Sequence, residues 1–190
     1  QIEPRVQEDQ PTAFFEQLLQ EEALLQLPYQ QVKVGLAATA STLIPQRLFN
    51  AVRPQDYLLP VAEFNERQSV YCDELPTLDL THVYAVATDW KSRLEQAYRY
   101  CKIYHVNTVL LRSLQRQQRN RSGYALYANV DSRQVQIFLY EGANLLFSNT
   151  FSYQSAKDFV YYVLLVYDQF DRSPTQLPLQ LSGQRPCNHC

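Results

Sequence analysis

The sequence predicts an α/β fold, and three features of its second half indicate this. Three strand-length segments, Tyr124–Val130, Gln134–Glu141 and Asn144–Phe151, alternate with a period of two. The short turns between them contain Asp, Ser and Gly, which is typical of a β-meander. An apolar helix over residues 155–170 and an alternating strand over residues 177–182 follow the meander. The predicted order of elements is therefore βββαβ.

The helix after the meander begins at a capping box. Ser155 is followed three residues later by Asp158, a spacing at which each side chain can hydrogen-bond to the other residue's backbone. The helix is apolar on two sides, one with Phe159, Val163, Val166 and Phe170 and the other with Val160, Leu164 and Tyr167. We expect both sides to be covered, and Phe159, Val163 and Val166 to lie beneath the meander.

The last strand returns to the meander through this helix. Crossovers between strands of one sheet are almost always right-handed and join parallel strands. We therefore expect residues 177–182 to pair in parallel with Tyr124–Val130. Three antiparallel strands, a crossover helix and a returning strand form the core of the ribonuclease-H/actin architecture.

The first half resembles the second part of a similar unit. Helix Thr12–Gln26 is followed by strand Val32–Ala38, and the matching meander would lie before Gln1. The chain opens on Gln and contains no Met, so we expect it to be a segment of a longer protein. The expected division is a polar leader over 1–11, an incomplete first half over 12–119 and a second half over 120–190 with a truncated tail.

Further elements are predicted within the first half. Leu94 lies on a helical stripe, and Thr88 or Asp89 caps that helix. The stripe comprises Trp90, Leu94, Ala97, Tyr98 and Cys101. The other elements are a short helix Gln46–Val52, strands Val70–Cys72, Thr81–Ala87 and Ile103–Val106, and a helix Thr108–Gln118.

Composition excludes several classes of function. Hydrophobic residues make up 46% of the chain and charged residues 19%, which is ordinary for a globular protein. A net charge of −2 gives no electrostatic reason to expect nucleic acid as a partner. No apolar run reaches the ~18 residues that a bilayer crossing needs, and no signal peptide is visible. With only four Cys, reduced thiols and a cytoplasmic location are the expectation.

Four segments together resemble a known family. They are Leu43–Phe49, Tyr104–Leu111, Asn144–Tyr153 and Asp158–Tyr162. In their order and spacing the chain resembles a bacteroidete family of unknown function with an actin-like ATPase fold, over most of Thr12–Gly183. The resemblance implies a fold with two related halves. It implies no activity, because the family has none established.

An actin-type ATPase holds phosphate on two hairpins, and only the second would fall within this sequence. Glycine at the hairpin tip lets backbone N–H groups approach the phosphates. Here Asp131 is suitably placed, but Ser132 and Arg133 occupy the glycine positions. For the adenine side only Gly183, after Ser182, is a candidate. The four glycines of the whole chain disfavour Mg-ATP as a cofactor, and Asp131 is better interpreted as a turn residue.

Other candidate sites are weaker. Arg112, Arg116 and Arg119 follow a helical spacing that suits a phosphate or acidic partner, although a solvated helix face is the simpler interpretation. At the tail, Cys187, His189 and Cys190 form one metal knuckle where structural zinc needs two. His82 and His105 are interpreted as structural imidazoles at strand starts, and Asp73 with Glu74 and Asp79 as a poor cation cage without Gly.

Two functional hypotheses follow. The first is a non-catalytic interaction or scaffold module on an actin-like fold, with a protein partner and self-association as an option. No nucleophile motif of the G-x-S-x-G or S-x-x-K type is present, so no catalytic residue is assigned. The alternative is an ATP-binding switch or ATPase that uses the cleft between the two halves. Mg-ATP binding separates the two hypotheses.

Overall fold

The computed structural model describes residues 11–38, 40–63, 67–131 and 133–183. The chain divides into two compact units, Gln1–Arg112 and Ser113–Cys190. The first unit contains two sheets and the second unit one, and each unit has its own buried core. The polar leader expected over residues 1–11 lies outside the described residues except for Pro11, and the tail after Gly183 lies outside them entirely.

The first unit combines helices with two small sheets. Its elements are α1 (Pro11–Glu21), β1 (Val32–Leu36), β2 (Ser41–Pro45), β3 (Gln68–Leu75), β4 (Leu80–Ala87), α2 (Thr88–Ala97), β5 (Cys101–His105) and the start of α3 (Val106–Gln118). β1 and β5 pair in parallel, from Val32 opposite Cys101 to Leu36 opposite His105. The other sheet is antiparallel with the order β2-β4-β3.

β4 is the central strand of that antiparallel sheet. Its residues from Thr81 to Val86 are all buried, so the strand shows no alternation between inside and outside. Such a continuous buried run is typical of a strand that is covered on both faces of its sheet. Val83 and Ala85 join Ala40 and Leu58 in the apolar core of the unit. The polar members of the run, which include His82 and Tyr84, therefore also lie in the interior.

One predicted helix of the first unit is wrong in its length and type, and one strand was not predicted. The helix expected over Gln46–Val52 is a 3-10 turn over Gln46–Leu48, and the preceding residues form the strand β2. β2 escaped prediction because all five of its residues are half-buried, which leaves no alternating pattern. It is held by pairing with β4, a contact that local sequence does not reveal.

The stripe predicted for α2 extends too far. α2 ends at Ala97, Tyr98 is extended, and Cys101 begins β5. Leu94 is buried as expected, whereas Ala97 is exposed. Tyr98 is nevertheless buried, and its hydroxyl donates to the Leu25 carbonyl at 3.1 Å. Apolar residues of α2 and of the chain after it, up to the start of β5, thus follow a spacing that is typical of one helical face.

The second unit has the predicted topology. Its elements are β6 (Tyr124–Val130), β7 (Gln134–Glu141), β8 (Asn144–Ser152), α4 (Ala156–Gln169) and β9 (Leu179–Gly183). They form one sheet with the order β8-β7-β6-β9. β9 pairs with β6 in parallel, from Leu126 opposite Leu179 to Val130 opposite Gly183, which confirms the predicted pairing.

α4 covers one face of this sheet. Val163, Val166 and Tyr167 are buried against sheet residues, and Phe159 packs at the margin of the same cluster. The sheet contributes Leu126, Ala128, Val135, Ile137 and Leu139. The predicted burial beneath the meander is therefore confirmed for Val163 and Val166, whereas Phe159 is half-buried. The expectation that both sides of α4 are covered is wrong, because Val160 and Leu164 are about half exposed.

The start of α4 is capped as the sequence predicts. The backbone N–H of Asp158 donates to the Ser155 hydroxyl at 3.3 Å, and the Asp158 carboxylate accepts from the Ser155 backbone N–H at 2.9 Å. A third bond, from the Gln154 backbone N–H, reaches the same carboxylate at 3.0 Å. These N–H groups lower the pKa of Asp158, with the Gln154 bond contributing most. The capping box thus keeps the carboxylate ionised at the helix N-terminus.

Candidate functional site

Five buried polar and aromatic side chains meet inside the first unit. Asp73 comes from β3, His82 and Tyr84 from β4, His105 from the end of β5, and Thr108 from the first turn of α3. Buried polar groups are stable only when they are hydrogen-bonded. Within the described residues, this polar cluster is therefore the main candidate site, and its side chains could have either a functional or a structural role.

Strand pairing brings the cluster together. In the β3–β4 register Asp73 lies opposite His82, and Tyr71 lies opposite Tyr84. Because side chains two residues apart on a strand share a face, these four point to the same side of the sheet. The ring centroids of Tyr71 and Tyr84 lie 5.8 Å apart in a stacked arrangement. His105 joins them, with its ring centroid 4.4 Å from that of His82.

The Asp73 carboxylate accepts two hydrogen bonds. Oδ2 accepts from the backbone N–H of His105 at 2.9 Å, and Oδ1 accepts from the Tyr84 hydroxyl at 3.2 Å. A buried carboxylate without such donors would carry a large desolvation cost. Asp73 thus joins β3 to the end of β5, a strand in the other sheet of the unit.

His105 is held as a neutral imidazole. Its Nδ1 accepts from the backbone N–H of Asn107 at 3.0 Å, and its Nε2 lies 3.0 Å from the Ala38 carbonyl oxygen and 3.2 Å from the Ala38 backbone nitrogen. Burial lowers the pKa of His105. Since His105 immediately precedes α3, its ring also caps the N-terminus of that helix.

His82 is more strongly perturbed. Burial first, and then the neighbouring His105, lower the pKa of His82 to about 3. Its Nδ1 lies 2.9 Å from the Thr108 hydroxyl. Burial likewise raises the pKa of the Tyr84 hydroxyl, which stays protonated as a donor to Asp73. At neutral pH both imidazoles are uncharged, and Tyr84 and Asp73 are joined by their hydrogen bond.

The hydrogen bonds of the polar cluster connect secondary-structure elements of the first unit. Asp73, His82, Tyr84 and His105 are all buried and bonded within the unit. A general acid or base must reach the atom whose proton it transfers. In the described part of the chain no three His, Cys, Asp or Glu side chains are grouped so as to hold a metal ion. We interpret the cluster as a structural lock between β3, β4, β5 and α3.

Sequence reasoning recognised the two histidines as structural and missed the lock itself. The placement of His105 at a strand start was wrong, because it ends β5. Asp73, which the sequence suggests only as part of a poor cation cage with Glu74 and Asp79, lies within β3 and is buried. The available signal was a polar Thr-His pair in an otherwise apolar run, at Thr81 and His82, which indicates buried polar groups in need of partners.

The predicted nucleotide-site residues fall at one end of the second unit's sheet. Asp131 and Arg133 lie in the turn between β6 and β7, and Ser132 lies outside the described residues. Gly183 ends β9 and pairs with Val130, the residue before Asp131. The fold therefore brings Gly183 to the same sheet end as the hairpin.

A polar row adjoins this end. The Ser182 hydroxyl donates to the Asn129 side-chain oxygen at 3.0 Å, and the Asn129 amide donates to the Gln136 side-chain oxygen at 3.2 Å. Gly183 itself has a structural reason to be glycine. Its φ is +101°, and a Cβ there would lie 2.0 Å from the Val130 carbonyl oxygen. The close approach of β9 to β6 thus requires Gly183 without any ligand.

The structure divides the predicted arginine set: Arg112 and Arg116 lie on α3, and Arg119 lies in the turn after it. Arg112 donates to the Glu74 carbonyl at 2.8 Å and lies over the Tyr104 ring at 5.1 Å. Arg116 and Arg119 are exposed, and neither forms an ion pair within the described residues. Partner binding by the three together stays a prediction. Cys187, His189 and Cys190 lie outside the part of the chain that the structure describes.

Comparison with protein families shows which family the chain belongs to. Residues 1–188 match the family described as "Protein of unknown function (DUF3822)". The chain belongs to this family. A search of curated proteins finds no match. The predicted resemblance to a family of unknown function is therefore confirmed over nearly the whole chain.

Solved structures identify the fold. A protein of Bacteroides thetaiotaomicron "with actin-like ATPase fold and unknown function" is similar with a TM-score of 0.82 and 22% identity. The match covers 91% of this chain and 67% of that one. The chain of this DUF3822 member thus has an actin-like α/β fold, as predicted, and spans about two thirds of its structural relative.

Two further structures are more distant. One is a PilM-PilN type IV pilus biogenesis complex, with a TM-score of 0.45, 13% identity and coverage of 86% of this chain and 53% of that one. The other is the cytoplasmic domain of EpsL from Vibrio cholerae, with a TM-score of 0.38, 16% identity and coverage of 86% and 66%. TM-scores this low do not establish a shared function. Among the described residues, no helix combines the length and apolarity of a membrane span.

Proposed function

We propose that this protein is a non-catalytic protein-interaction module that acts in the cytoplasm and uses an actin-like fold without nucleotide chemistry. One observation carries the proposal. The turn between β6 and β7, where an actin-type fold would hold phosphate, uses its backbone groups for internal hydrogen bonds.

Three bonds close this turn. The backbone N–H of Asp131 donates to the Gln134 carbonyl at 2.8 Å. The Asp131 carbonyl accepts from the Tyr153 hydroxyl at 2.6 Å, and the Arg133 carbonyl accepts from the Tyr153 backbone N–H at 3.0 Å. A phosphate cradle needs backbone N–H groups that point outward, and side chains larger than Gly obstruct the approach. The internal bond of the Asp131 N–H and the side chain of Arg133 both oppose such a cradle.

An ATP-binding switch is the second candidate. Its support is the position of Gly183 next to the Asp131 hairpin, with Ser182 and Asn129 forming a polar row beside them. Polar groups at the carboxyl ends of parallel strands are common in ligand sites. In this alternative Asp131, Ser132, Arg133 and Gly183 would contact Mg-ATP.

Calorimetric titration of Mg-ATP into the protein separates the candidates. We expect no binding heat at millimolar nucleotide, because the internal bond of the Asp131 N–H and the side chain of Arg133 oppose a phosphate cradle. Micromolar binding that Asp131→Ala abolishes would contradict the proposal. Asp168→Ala is the matched control, since Asp168 is an exposed carboxylate on α4, and it must leave any binding unchanged.

A further inference from the structure

One face of α4 presents apolar side chains to solvent. Its four large side chains are between 40% and 61% exposed: Val160, Tyr161, Leu164 and Leu165. Helical geometry places all four within an arc of about 140°, turned away from Val163 and Val166, which pack on the sheet. Contiguous exposed apolar side chains of this kind are typical of interaction sites. We call the four residues the outer face of α4.

Two opposite charges lie at the two ends of the outer face. Lys157 is in the first turn of α4 and Asp168 in its last turn. The same helical geometry places both within the arc of the apolar side chains. Both are exposed, and neither forms an ion pair within the described residues. The surface is therefore apolar in the middle, positive at one end and negative at the other.

The helix dipole of α4 disfavours this order of charges. A helix carries partial positive charge at its N-terminus and partial negative charge at its C-terminus, so Lys157 and Asp168 each lie at the unfavourable end. Of the other charges from position 152 to 172, Asp158 is bound in the capping box, and Asp171 and Arg172 are of opposite sign. Beside an antiparallel helix, each end charge would lie near the opposite partial charge of the partner.

We propose that the outer face of α4 binds the same face of a second copy of this chain, with the two helices antiparallel. This inference rests on the proposed interaction function and names the partner. In a two-fold interface residue i of one copy contacts residue j of the other, and j contacts i. If the axis crosses α4 midway along its length, each of three complementary pairs forms twice. The pairs are Lys157 with Asp168, Val160 with Leu165, and Tyr161 with Leu164.

Other occupants match the outer face less well. An unrelated protein needs its own complementary charges at the right separation, whereas a second copy supplies both by symmetry. An anionic membrane is recognised by clusters of about four to eight cations, and the outer face has Lys157 alone, together with an anion. An apolar segment of the same chain would cover the four side chains and leave both charges unpaired. The observations therefore favour a second copy.

The proposed interface is small, and this sets the expected affinity. α4 has 14 residues, and a pair of such helices, each about 21 Å long, buries less than the roughly 1,200 Å² of a typical stable complex. We therefore expect a monomer–dimer equilibrium with a dissociation constant of roughly tens of micromolar. Sedimentation equilibrium of the full chain over a concentration series measures it.

Charge reversal tests the antiparallel pairing. Lys157→Asp would bring two anions together at each end of the interface, and Asp168→Lys two cations. We expect each substitution to weaken dimerisation by roughly tenfold. The protein with both substitutions restores opposite charges and should dimerise about as tightly as the unaltered protein. An equimolar mixture of the two single variants should form mixed dimers, because one copy contributes two cations and the other two anions.

A valine substitution tests the apolar part of the surface. Val160→Asp should weaken dimerisation by roughly tenfold, because an anion replaces an apolar contact. Val52→Asp is the matched control, since Val52 is an exposed valine of the first unit, and should leave dimerisation unchanged. Circular dichroism should show all these variants folded, because every replaced side chain is exposed.

Several results would overturn the dimer proposal. They are a monomer at every concentration, a dimer that the single charge reversals leave unchanged, and failure of the combined variant to restore dimerisation. Binding to vesicles of equal parts phosphatidylcholine and phosphatidylserine that Val160→Asp abolishes would indicate a membrane surface instead. A monomer that Val160→Asp destabilises would indicate that another segment of the chain covers α4.

The dimer and the proposed function can fail separately. A chain that stays monomeric and gives no heat with Mg-ATP would remove the dimer and leave the proposed function. A chain that dimerises as expected and binds Mg-ATP at micromolar concentration would contradict the proposed function and leave the dimer.

Discussion

The Asp73 carboxylate lies between two donors, the backbone N–H of His105 and the hydroxyl of Tyr84. Both donors are in buried residues, so neither can turn to water if the carboxylate is removed. An orphaned buried donor costs about 1–3 kcal/mol. At the residue scale, the stability of the first unit therefore depends on Asp73, a buried carboxylate whose hydrogen bonds are internal.

Replacing Asp73 tests the lock directly. We expect Asp73→Ala to lower the free energy of unfolding by about 2–4 kcal/mol, because two buried donors lose their acceptor. Urea denaturation measures the change. Glu74→Ala is the neighbouring control, since Glu74 is exposed, and should change stability by less than about 0.5 kcal/mol. Equal effects of the two substitutions would show that the Asp73 bonds are dispensable.

Acid should weaken the lock through His82. An unfolded histidine has a pKa of about 6.5, whereas burial lowers the pKa of folded His82 to about 3. Between these values the unfolded chain binds a proton that the folded chain does not, so stability is full above about pH 6.5 and falls as pH drops toward 3. His105, whose pKa is also lowered, acts in the same direction.

Urea midpoints from about pH 7 down to about pH 5 measure this dependence, above the range where ordinary carboxylates titrate. We expect His82→Gln to flatten the decline and leave the smaller contribution of His105. An unaltered slope in the variant would mean that His82 does not couple protonation to folding.

At the scale of elements, the pairing of β9 with β6 depends on Gly183. Two conditions coincide there, a φ of +101° and a backbone approach that would place a Cβ 2.0 Å from the Val130 carbonyl oxygen. Neither condition requires nucleotide. The glycine selected from the sequence as a ligand candidate thus has a role that is visible only when the two strands are seen together.

Gly183→Ala should therefore cost more than a positive φ alone. We expect a loss of more than about 2 kcal/mol, since the added Cβ forces the strands apart. Gly123→Ala separates the two causes, because Gly123 has φ of +82° with no atom within 4 Å of a Cβ, and should cost about 1 kcal/mol. Chemical denaturation of both variants gives the comparison. Similar losses would show that β9 can move away from β6 without cost.

Elements with strong local signals were predictable. β6, β7, β8 and the capped start of α4 carry period-two alternation or a capping box, which depend on neighbouring residues only. The end of α2 was not predictable, because apolar residues of the following β5 continue its helical stripe. β2 was missed because it is half-buried throughout and is held by β4.

At the scale of the whole molecule, the fold and the family agree with the sequence-based prediction. The chain is a DUF3822 member whose actin-like relative from Bacteroides thetaiotaomicron also has unknown function. An actin-like fold alone does not determine activity. Function must therefore be sought at particular sites, among them the β6–β7 turn.

The sequence by itself determined the βββαβ order of the second unit and its relationship to an actin-like family. It did so because alternation, turns and caps are local signals whose meaning does not depend on distant residues. Only the tertiary structure decided that Asp73 meets His105 and that Gly183 must approach Val130. These facts arise from strand pairing and packing between distant positions, which neither composition nor periodicity specifies.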